Sequence, residues 1–341
     1  MTTQGTDSRL RLEGRRRLLL VALTVLLAAA AVAALLAGRF PATVGESLAA
    51  LFSDGDTPLS RILLDVRLPR IATALLVGAG LSAAGAAFQA LFSNPLASPD
   101  TLGVATGSAF GAVLAMLLGL SGAGIQGLSL VSGLAAMALV MMVAAPGRRE
   151  GLLMLVLAGM IVGALFTALI SLVKLVADPQ DELPGIVYWI MGSLTGSTWR
   201  SLVSGAPAIL AGSALLVAMS WRLNLLSLPE DEARSLGVKT GPMRALVILA
   251  ATLVTASAVS MTGLIGWVGL IIPHLARLLT GTSENRHVVP VSMVLGALFL
   301  LLADTAARTV LASEIPVAVI TSLIGAPLFL AMLMRSASKR F

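Results

Sequence analysis

Apolar runs of about 20 residues constrain this sequence more than any other feature, because each is long enough to cross a membrane. Hydrophobic residues make up 57% of the 341 residues and charged residues only 12%. A soluble domain has about 45–50% apolar and about 25% charged residues. An apolar run of this length spans, as a helix, a hydrocarbon core roughly 30 Å thick. The sequence therefore predicts an all-α, multi-pass membrane protein.

We predict ten transmembrane helices within residues 18–335, preceded by a basic tail at 1–17 and followed by another at 336–341. Their apolar windows are Leu18–Ala37, Ile71–Ala90, Leu102–Leu120, Leu128–Ala145, Leu152–Val176, Leu202–Trp221, Ala245–Thr262, Leu264–Thr280, Val288–Ala303 and Ile315–Met334. The first window is longer than the roughly 7–15 apolar residues of a signal peptide, so we expect it to be retained.

The distribution of Lys and Arg predicts that both termini are cytoplasmic. This orientation places 16 of the 23 Lys and Arg residues inside, whereas the opposite orientation leaves 7 there. Basic residues favour the cytoplasmic side of a membrane. The inner loop 222–244 and the outer segment 39–70 are the two longest connections. We attribute the net charge of +6 to basic residues that orient the spans in the membrane. Nucleic-acid binding is less consistent with it, because the basic residues are dispersed and aromatic residues are only 4%.

Regularly spaced glycines predict close helix packing. Gly103, Gly107 and Gly111 recur every four residues in the third span, and Gly159 and Gly163 repeat this spacing in the fifth. Small residues let helix backbones approach where lipid provides no hydrophobic drive. A role in lining a substrate path is the alternative.

The spans lack the residues that would power transport. No predicted span carries a carboxylate near its centre, whereas an ion-coupled carrier usually has an ionisable group or a broken helix there. The motif G-x-x-x-x-G-K-[ST] and cysteine are absent, and the two histidines, His274 and His287, lie 13 residues apart. We therefore predict no catalytic site, metal site or bound cofactor, and an energy source in another subunit.

The inner loop predicts a short helix on the cytoplasmic face. Its central segment reads Ser227, Leu228, Pro229, Glu230, Asp231, Glu232, Ala233, Arg234, Ser235, Leu236 and Gly237. Ser227 and Glu230 have capping-box spacing, Pro229 suits a first turn, and Gly237 suits a helix end. An isolated helix of about nine residues is marginal in water, so it needs a protein surface, its own bundle or a partner.

Several motifs between Arg67 and Met334 resemble those of a known family. They are Arg67-Leu68-Pro69-Arg70, Asn94-Pro95-Leu96-Ala97-Ser98-Pro99 with Leu102-Gly103, Trp189 with Gly192-Ser193, Gly266-Trp267-Val268-Gly269-Leu270 with Pro273-His274 and Arg277, Asp304 with Arg308, and Gly325-Ala326-Pro327. On these motifs the chain resembles the FecCD-type permeases, the membrane subunits of type II ABC importers for iron chelates, haem and cobalamin. Ten spans with both ends inside is also the architecture of that family.

The resemblance implies a permease in the bacterial cytoplasmic membrane with several partners. These are a second permease subunit, identical or paralogous, two cytoplasmic ATP-binding subunits that use ATP and Mg²⁺, and an extracytoplasmic substrate-binding protein. Family members couple to the ATPase through a short helix after the sixth span. Leu228–Gly237 occupies that place, with Ala233, Leu236 and Gly237 matching Ala-x-x-Leu-Gly and Pro229 replacing a common Gly.

The resemblance also assigns a docking role to three outer arginines. Arg67, Arg70 and Arg308 match positions that receive acidic residues of the binding protein. The alternative is local, with Arg67 and Arg70 anchoring a helix end and Arg308 pairing with Asp304 one turn away. His274 is assigned a structural role at a helix end, because one histidine makes no metal site.

The cargo and the transport class leave alternatives. We expect a ferric siderophore, the commonest cargo of the family, while haem, cobalamin and oxyanions stay open. An ion-coupled secondary transporter or channel acting without an ATPase is the alternative function, since spans two to five and seven to ten would form inverted halves. A non-transporting membrane scaffold is the third possibility.

Overall fold

A computed structural model describes residues 3–38, 43–51, 57–144, 152–237, 239–310 and 313–338. All regular structure in these ranges is helical. The α-helices are α1 Thr3–Leu36, α2 Val44–Leu51, α3 Pro58–Arg61, α4 Leu68–Leu91, α5 Val104–Leu117, α6 Gly122–Ala144, α7 Leu152–Val176, α8 Leu183–Ile190, α9 Trp199–Ala218, α10 Ser220–Leu226, α11 Glu230–Ser235, α12 Thr240–Thr262, α13 Val268–Thr280, α14 Asn285–Thr309 and α15 Val317–Ser338. A π-helical stretch, Ile62–Arg67, joins α3 to α4, and a 3₁₀ turn, Pro99–Leu102, precedes α5.

Each predicted span coincides with a helix, but the helices differ in length. Among the described residues, seven are long and apolar enough to cross a membrane: Leu12–Leu36, Pro58–Leu91, Gly122–Ala144, Leu153–Val176, Trp199–Ala218, Thr240–Thr262 and Asn285–Thr309. Two others, Val104–Leu117 and Val268–Thr280, are shorter, and the last helix, α15, runs from Val317 to Ser338. The predicted count of ten full spans is therefore not confirmed. Left-handed residues contribute to this difference, since Gly119 follows α5, and Gly263 and Trp267 flank the break before α13.

Helices α4 and α12 form the centre of the bundle. In each, 78% of the most apolar stretch is buried inside the chain, against 6% in α1. Helix α4 packs along α14, α13, α12 and α9, while α5 packs against α6, α7 and α12. Most apolar side chains of α1 are therefore exposed on the outside of the bundle.

The glycines of α5 lie where its backbone meets its neighbours. A Cβ on Gly107 would lie 2.3 Å from Ala136 Cβ, and one on Gly111 would lie 2.4 Å from the Leu128 carbonyl oxygen. These positions leave no room for a larger residue unless the neighbouring helix moves.

The start of α5 meets α7 through three more glycines. Gly103 has a left-handed backbone (φ 72°), and a Cβ there would lie 3.0 Å from the Gly159 carbonyl oxygen. A Cβ on Gly159 would lie 2.7 Å from Leu102 Cα, whereas one on Gly163 meets nothing closer than 3.6 Å. Gly163 is thus the loosest of the five positions.

Other close helix contacts involve glycines outside these two groups. A Cβ on Gly78 would lie 2.3 Å from the Gly296 carbonyl oxygen, and one on Gly85 would lie 1.9 Å from the Gly269 carbonyl oxygen. These contacts join α4 to α14 and α13. A repeat within one helix does not show which glycines of two distant helices meet.

Hydrogen bonds connect neighbouring segments at each of the two ends of the bundle. At one end, Arg16 Nε donates to the Thr280 carbonyl at 3.2 Å, and Ser93 Oγ donates to the Ser227 carbonyl at 2.8 Å. At the other end, Trp199 Nε1 donates to the Leu64 carbonyl at 2.9 Å. The residues of each group belong to segments that were predicted to lie on the same side of the membrane. The predicted inner turn near Arg148 lies outside the described residues.

The long outer segment is partly helical. Thr43 and Glu46 form a capping box at the start of α2, with the Thr43 N–H donating to Glu46 Oε2 at 2.7 Å. Hydrogen bonds from the backbone and the hydroxyl of Thr43 lower the pKa of Glu46. Helix α3 and the π-helical stretch form the last part of the segment. They place Arg67 immediately before the first residue of α4.

Candidate functional site

The three outer arginines lie together around one cavity at the outer end of α4 and α14. The cavity has a volume of about 230 Å³ and is lined by Arg67, Arg70, Arg308, Asp304 and Glu314 together with Gly38 and apolar side chains. We call it the outer arginine pocket. Arg67, Arg70 and Arg308 are each 7–8% exposed. The sequence motifs that contribute them are far apart in the chain, and the helix packing brings them together.

Arg67 is bound to the end of α1. Its Nη1 donates to the carbonyl oxygens of Leu35 at 2.8 Å and Leu36 at 3.2 Å. The last carbonyls of a helix have no partner within the helix, and the helix dipole makes this end negative. Arg67 therefore stabilises the outer end of α1.

Arg70 forms the strongest polar contacts of the pocket. Its Nε donates to Asp304 Oδ1 at 2.9 Å and to Oδ2 at 3.1 Å, and its Nη1 donates to Glu314 Oε2 at 2.9 Å. Asp304 is completely buried, whereas the side chain of Glu314 is 33% exposed. The guanidinium thus holds one buried and one accessible carboxylate.

Arg308 turns toward α1 as well. Its Nη1 donates to the Ala37 carbonyl at 2.6 Å, and its Nη2 donates to the Ala34 carbonyl. The Nε lies 3.9 Å from Asp304 Oδ2, so the expected pairing one turn away is present but longer than the contacts that Arg70 makes. Of the local roles considered from the sequence, Arg67 binds a helix end and Arg308 lies near Asp304, whereas Arg70 pairs with two carboxylates and does not anchor a helix end. Binding-protein docking stays a prediction.

The outer arginine pocket carries a formal charge of +1, from three guanidinium groups and two carboxylates. Arginine keeps its charge in proteins and can hold several acceptors at once. A further carboxylate could therefore be accepted at the rim, where Glu314 is accessible. Sequence reasoning missed Glu314, because it lies 244 residues from Arg70 and no pattern connects them.

The inner loop contains two short helices, α10 and α11. Leu223 and Leu226 of α10 are buried, and Ser227 ends this helix with its Oγ donating to the Asn224 carbonyl at 2.8 Å. Ser227 thus lies at the end of α10. Its predicted capping box with Glu230 stays a prediction, because the Glu230 side chain lies outside the described residues. The buried leucines extend α10 as far as Leu226. A carbonyl in its last turn, which has no partner within the helix, then accepts the hydrogen bond from the Ser227 hydroxyl.

Helix α11 is shorter than predicted, with six residues in place of about nine. The Ala233 N–H donates to the Pro229 carbonyl at 3.0 Å, so Pro229 lies at its start. Gly237 follows it with a left-handed backbone (φ 78°), as predicted for a helix end. The side chains of Glu230 and Arg234 lie outside the described residues.

The side chains of α11 divide into a buried and an exposed face. Ala233 is completely buried, whereas Asp231 and Glu232 are exposed, and Leu236, directly after the helix, is 63% exposed. Leu228, before the helix, is half-buried. The helix therefore rests on its own bundle through Ala233 and presents an acidic and apolar surface outward.

Two hydrogen-bonded contacts hold this loop to the bundle. Ser93, after α4, reaches the Ser227 carbonyl from a left-handed backbone (φ 47°). Asn224 Oδ1 accepts from the N–H and from Nδ2 of Asn285, both at 2.9 Å. The loop is thus connected to the inner ends of α4 and α14.

Within the described ranges, no group of three or more His, Asp or Glu side chains could hold a metal ion. His287 Nε2 lies 3.6 Å from Glu284 Oε2, and Glu284 also pairs with Arg286 at 3.3 Å. These residues form an ion-pair cluster at the inner end of α14.

Comparisons with known proteins identify the family. The model of the FecCD transport family matches residues 23–335. The chain belongs to the FecCD transport family. The match covers all ten predicted spans except the first residues of the first.

Relatives in the FecCD family have different cargoes. The chain is 46% identical to the molybdate import system permease protein MolB of Haemophilus influenzae, over 80% of this chain and 81% of MolB. It is 37% identical to a protein of Helicobacter pylori described as an iron chelatin transport system permease, over 82% of this chain and 84% of that protein. Cargo therefore varies within the family.

A solved structure agrees with the fold. It is an inward-facing structure assigned to the metal-chelate type of ABC transporter, with a TM-score of 0.85, 43% identity, and coverage of 93% of this chain and 99% of that one. The protein is thus the permease subunit of an ABC importer in the cytoplasmic membrane and is not itself catalytic. Its class implies an ATPase and a binding protein as partners. A carrier that acts without an ATPase is excluded as its function.

We predict that Arg70→Leu lowers the free energy of unfolding by about 3–5 kcal/mol, because it leaves Asp304 buried without its main partner. The double variant Arg70→Leu with Asp304→Leu should recover most of this loss, since an apolar pair often replaces a buried ion pair at little cost. Thermal unfolding in detergent micelles measures both. Equal destabilisation of the single and double variants would contradict the assignment.

Proposed function

We propose that this FecCD permease forms, with a second permease subunit, the pathway for a metal-containing cargo, with a ferric siderophore as the first candidate. The iron chelatin permease of Helicobacter pylori supports this candidate. Molybdate is the second candidate, favoured by the 46% identity to MolB. Both cargoes arrive with the metal already coordinated, so the permease need not supply metal ligands.

Cargo-stimulated ATP hydrolysis distinguishes the two candidates. The permease is reconstituted with its ATPase and its binding protein and is tested with ferric siderophores, molybdate and cobalamin. We expect stimulation and uptake with a ferric siderophore. Stimulation by molybdate alone would identify molybdate, and not a ferric siderophore, as the cargo. Stimulation by none of the three would refute a metal-containing cargo.

The ATPase docks on α11 in this proposal. The single observation that carries it is the exposed Leu236 beside Asp231 and Glu232 on a helix whose Ala233 is fully buried. An apolar side chain that is 63% exposed at the aqueous end of the bundle lies away from lipid and favours a protein partner. The Ser93–Ser227 and Asn224–Asn285 contacts would pass movements of α11 to α4 and α14.

We predict that Leu236→Ser weakens association with the ATPase by about tenfold or more, because a buried apolar contact at an interface centre often contributes that much. Lys239→Ser, an exposed change in the same loop, is the matched control. Deleting Glu230–Leu236 should abolish cargo-linked ATP hydrolysis and leave membrane insertion intact. Normal coupling in the deletion variant would contradict the proposal.

The binding protein docks over the outer arginine pocket in this proposal. One of its carboxylates competes with Glu314 for Arg70 Nη1, the donor at the accessible rim. Charge complementarity of this kind sets specificity and the rate of association. The support is the position of three arginines around one cavity with a formal charge of +1.

We predict opposite effects of two substitutions on docking. Glu314→Gln should tighten binding of the cargo-loaded binding protein several-fold, because it removes the competing charge. Arg67→Gln should weaken it and reduce its salt dependence. Affinity is measured at several salt concentrations, with thermal unfolding as the control for folding. Wild-type affinity in both variants would refute docking at this pocket.

A further inference from the structure

Arg277, from the Pro273-His274…Arg277 motif, has no role in the sites described so far. It lies in the last turn of α13 at the inner end of the bundle and is half-buried. Among the described residues its hydrogen bond goes to Gln89 Oε1, a neutral amide oxygen. Gln89 is 3% exposed, and its Nε2 donates to the Leu270 carbonyl at 2.9 Å. A guanidinium has five N–H donors, so most of those of Arg277 are available.

Arg277 lines a polar cavity of about 250 Å³. The side chains around it that carry hydrogen-bonding groups are Gln89, Ser93, Asn94, Ser227, Ser283 and Asn285. No carboxylate is among the described residues that line it. Glu284, the acid nearest to Arg277 in sequence, pairs with Arg286 and lies 3.6 Å from His287. The cavity thus presents one positive charge and several neutral polar groups.

A half-buried charge without an opposite charge is costly in a protein. The favourable interaction of a cation with the carboxyl end of its helix and the bond to Gln89 offset only part of this cost. An incoming anion with two oxygens would match the planar, forked geometry of the guanidinium.

The cavity adjoins the loop that carries α11. Ser227 lines the cavity and lies three residues before Glu230, the first residue of α11. The Ser93 hydroxyl, which also lines the cavity, holds the Ser227 carbonyl at 2.8 Å. The cavity therefore lies next to the segment that leads into α11.

We propose that the Arg277 cavity receives a carboxylate side chain of the ATPase subunit as a second anchor beside α11. The inference rests on the proposed docking of the ATPase on α11. The occupant is a carboxylate of the partner protein because the cavity is positively charged, adjoins the docking surface and lies at the aqueous end of the bundle. In this arrangement the ATPase contacts α13 directly, through Arg277, as well as the inner loop.

The test measures the affinity of the full-length permease in nanodiscs for the purified ATPase subunit at several salt concentrations. Arg277→Met should weaken binding about tenfold or more and flatten its salt dependence, since a buried ion-pair partner is lost. Ser283→Asp should also weaken it, because a carboxylate then occupies the cavity from within. Ser283→Asn, of the same shape without the charge, measures the steric cost alone. Ser283 is exposed, so these two variants keep the test valid if Arg277→Met fails to fold.

Two further comparisons separate the proposal from its alternatives. If Arg277 serves only Gln89, Gln89→Leu should weaken binding as much as Arg277→Met, which would overturn the proposal. A loss of affinity that appears only in nanodiscs of anionic lipid would assign the cavity to a lipid phosphate and would also overturn it. Wild-type affinity in Arg277→Met and Ser283→Asp, with Leu236→Ser still impaired, would refute the cavity and leave docking on α11 intact. Wild-type affinity in Leu236→Ser as well would refute the proposed docking itself.

Discussion

The bundle depends on the close approach of backbones to α4. Lipid is as apolar as a leucine side chain, so helices in a membrane gain little from burying apolar area and associate mainly through close packing. Gly78 with Gly296 and Gly85 with Gly269 bring α14 and α13 against α4 with no side chain between them. These contacts place Asp304 beside Arg70 at one end and Arg277 beside Gln89 at the other. Both polar sites thus follow from the packing of a single helix.

The sequence predicted the helices well because the lipid requirement is local. A run of apolar residues is visible in any window of the chain, and the positive-inside bias needs only a count of charges. Helices α5 and α13 are shorter than their windows, since apolar residues continue through the left-handed turns at Gly119 and Gly263. Hydropathy does not report where the backbone turns.

The outer arginine pocket and the inner loop were predicted only in part, because their side chains bind residues that are distant in sequence. Arg67, Arg70 and Arg308 were chosen by resemblance, but their contacts with α1 and Glu314 depend on tertiary packing. Ser227 has the spacing of a helix start, yet buried leucines extend the preceding helix as far as this residue. Local patterns identified the segments that matter, and the packing of the bundle decided what each side chain does.

The π-helical stretch before α4 has a consequence for how the outer surface evolves. The Leu68 N–H reaches back five residues to the Leu63 carbonyl, so this turn holds one residue more than an α-turn. One residue corresponds to about 100° of rotation around a helix axis. A relative without the extra residue of the π-helical turn could keep all three pocket arginines. Its α2 and α3 would nevertheless be rotated about the axis of α4 to a different side of the bundle. Alignment of motifs alone would then overlook a change in the shape of the outer surface.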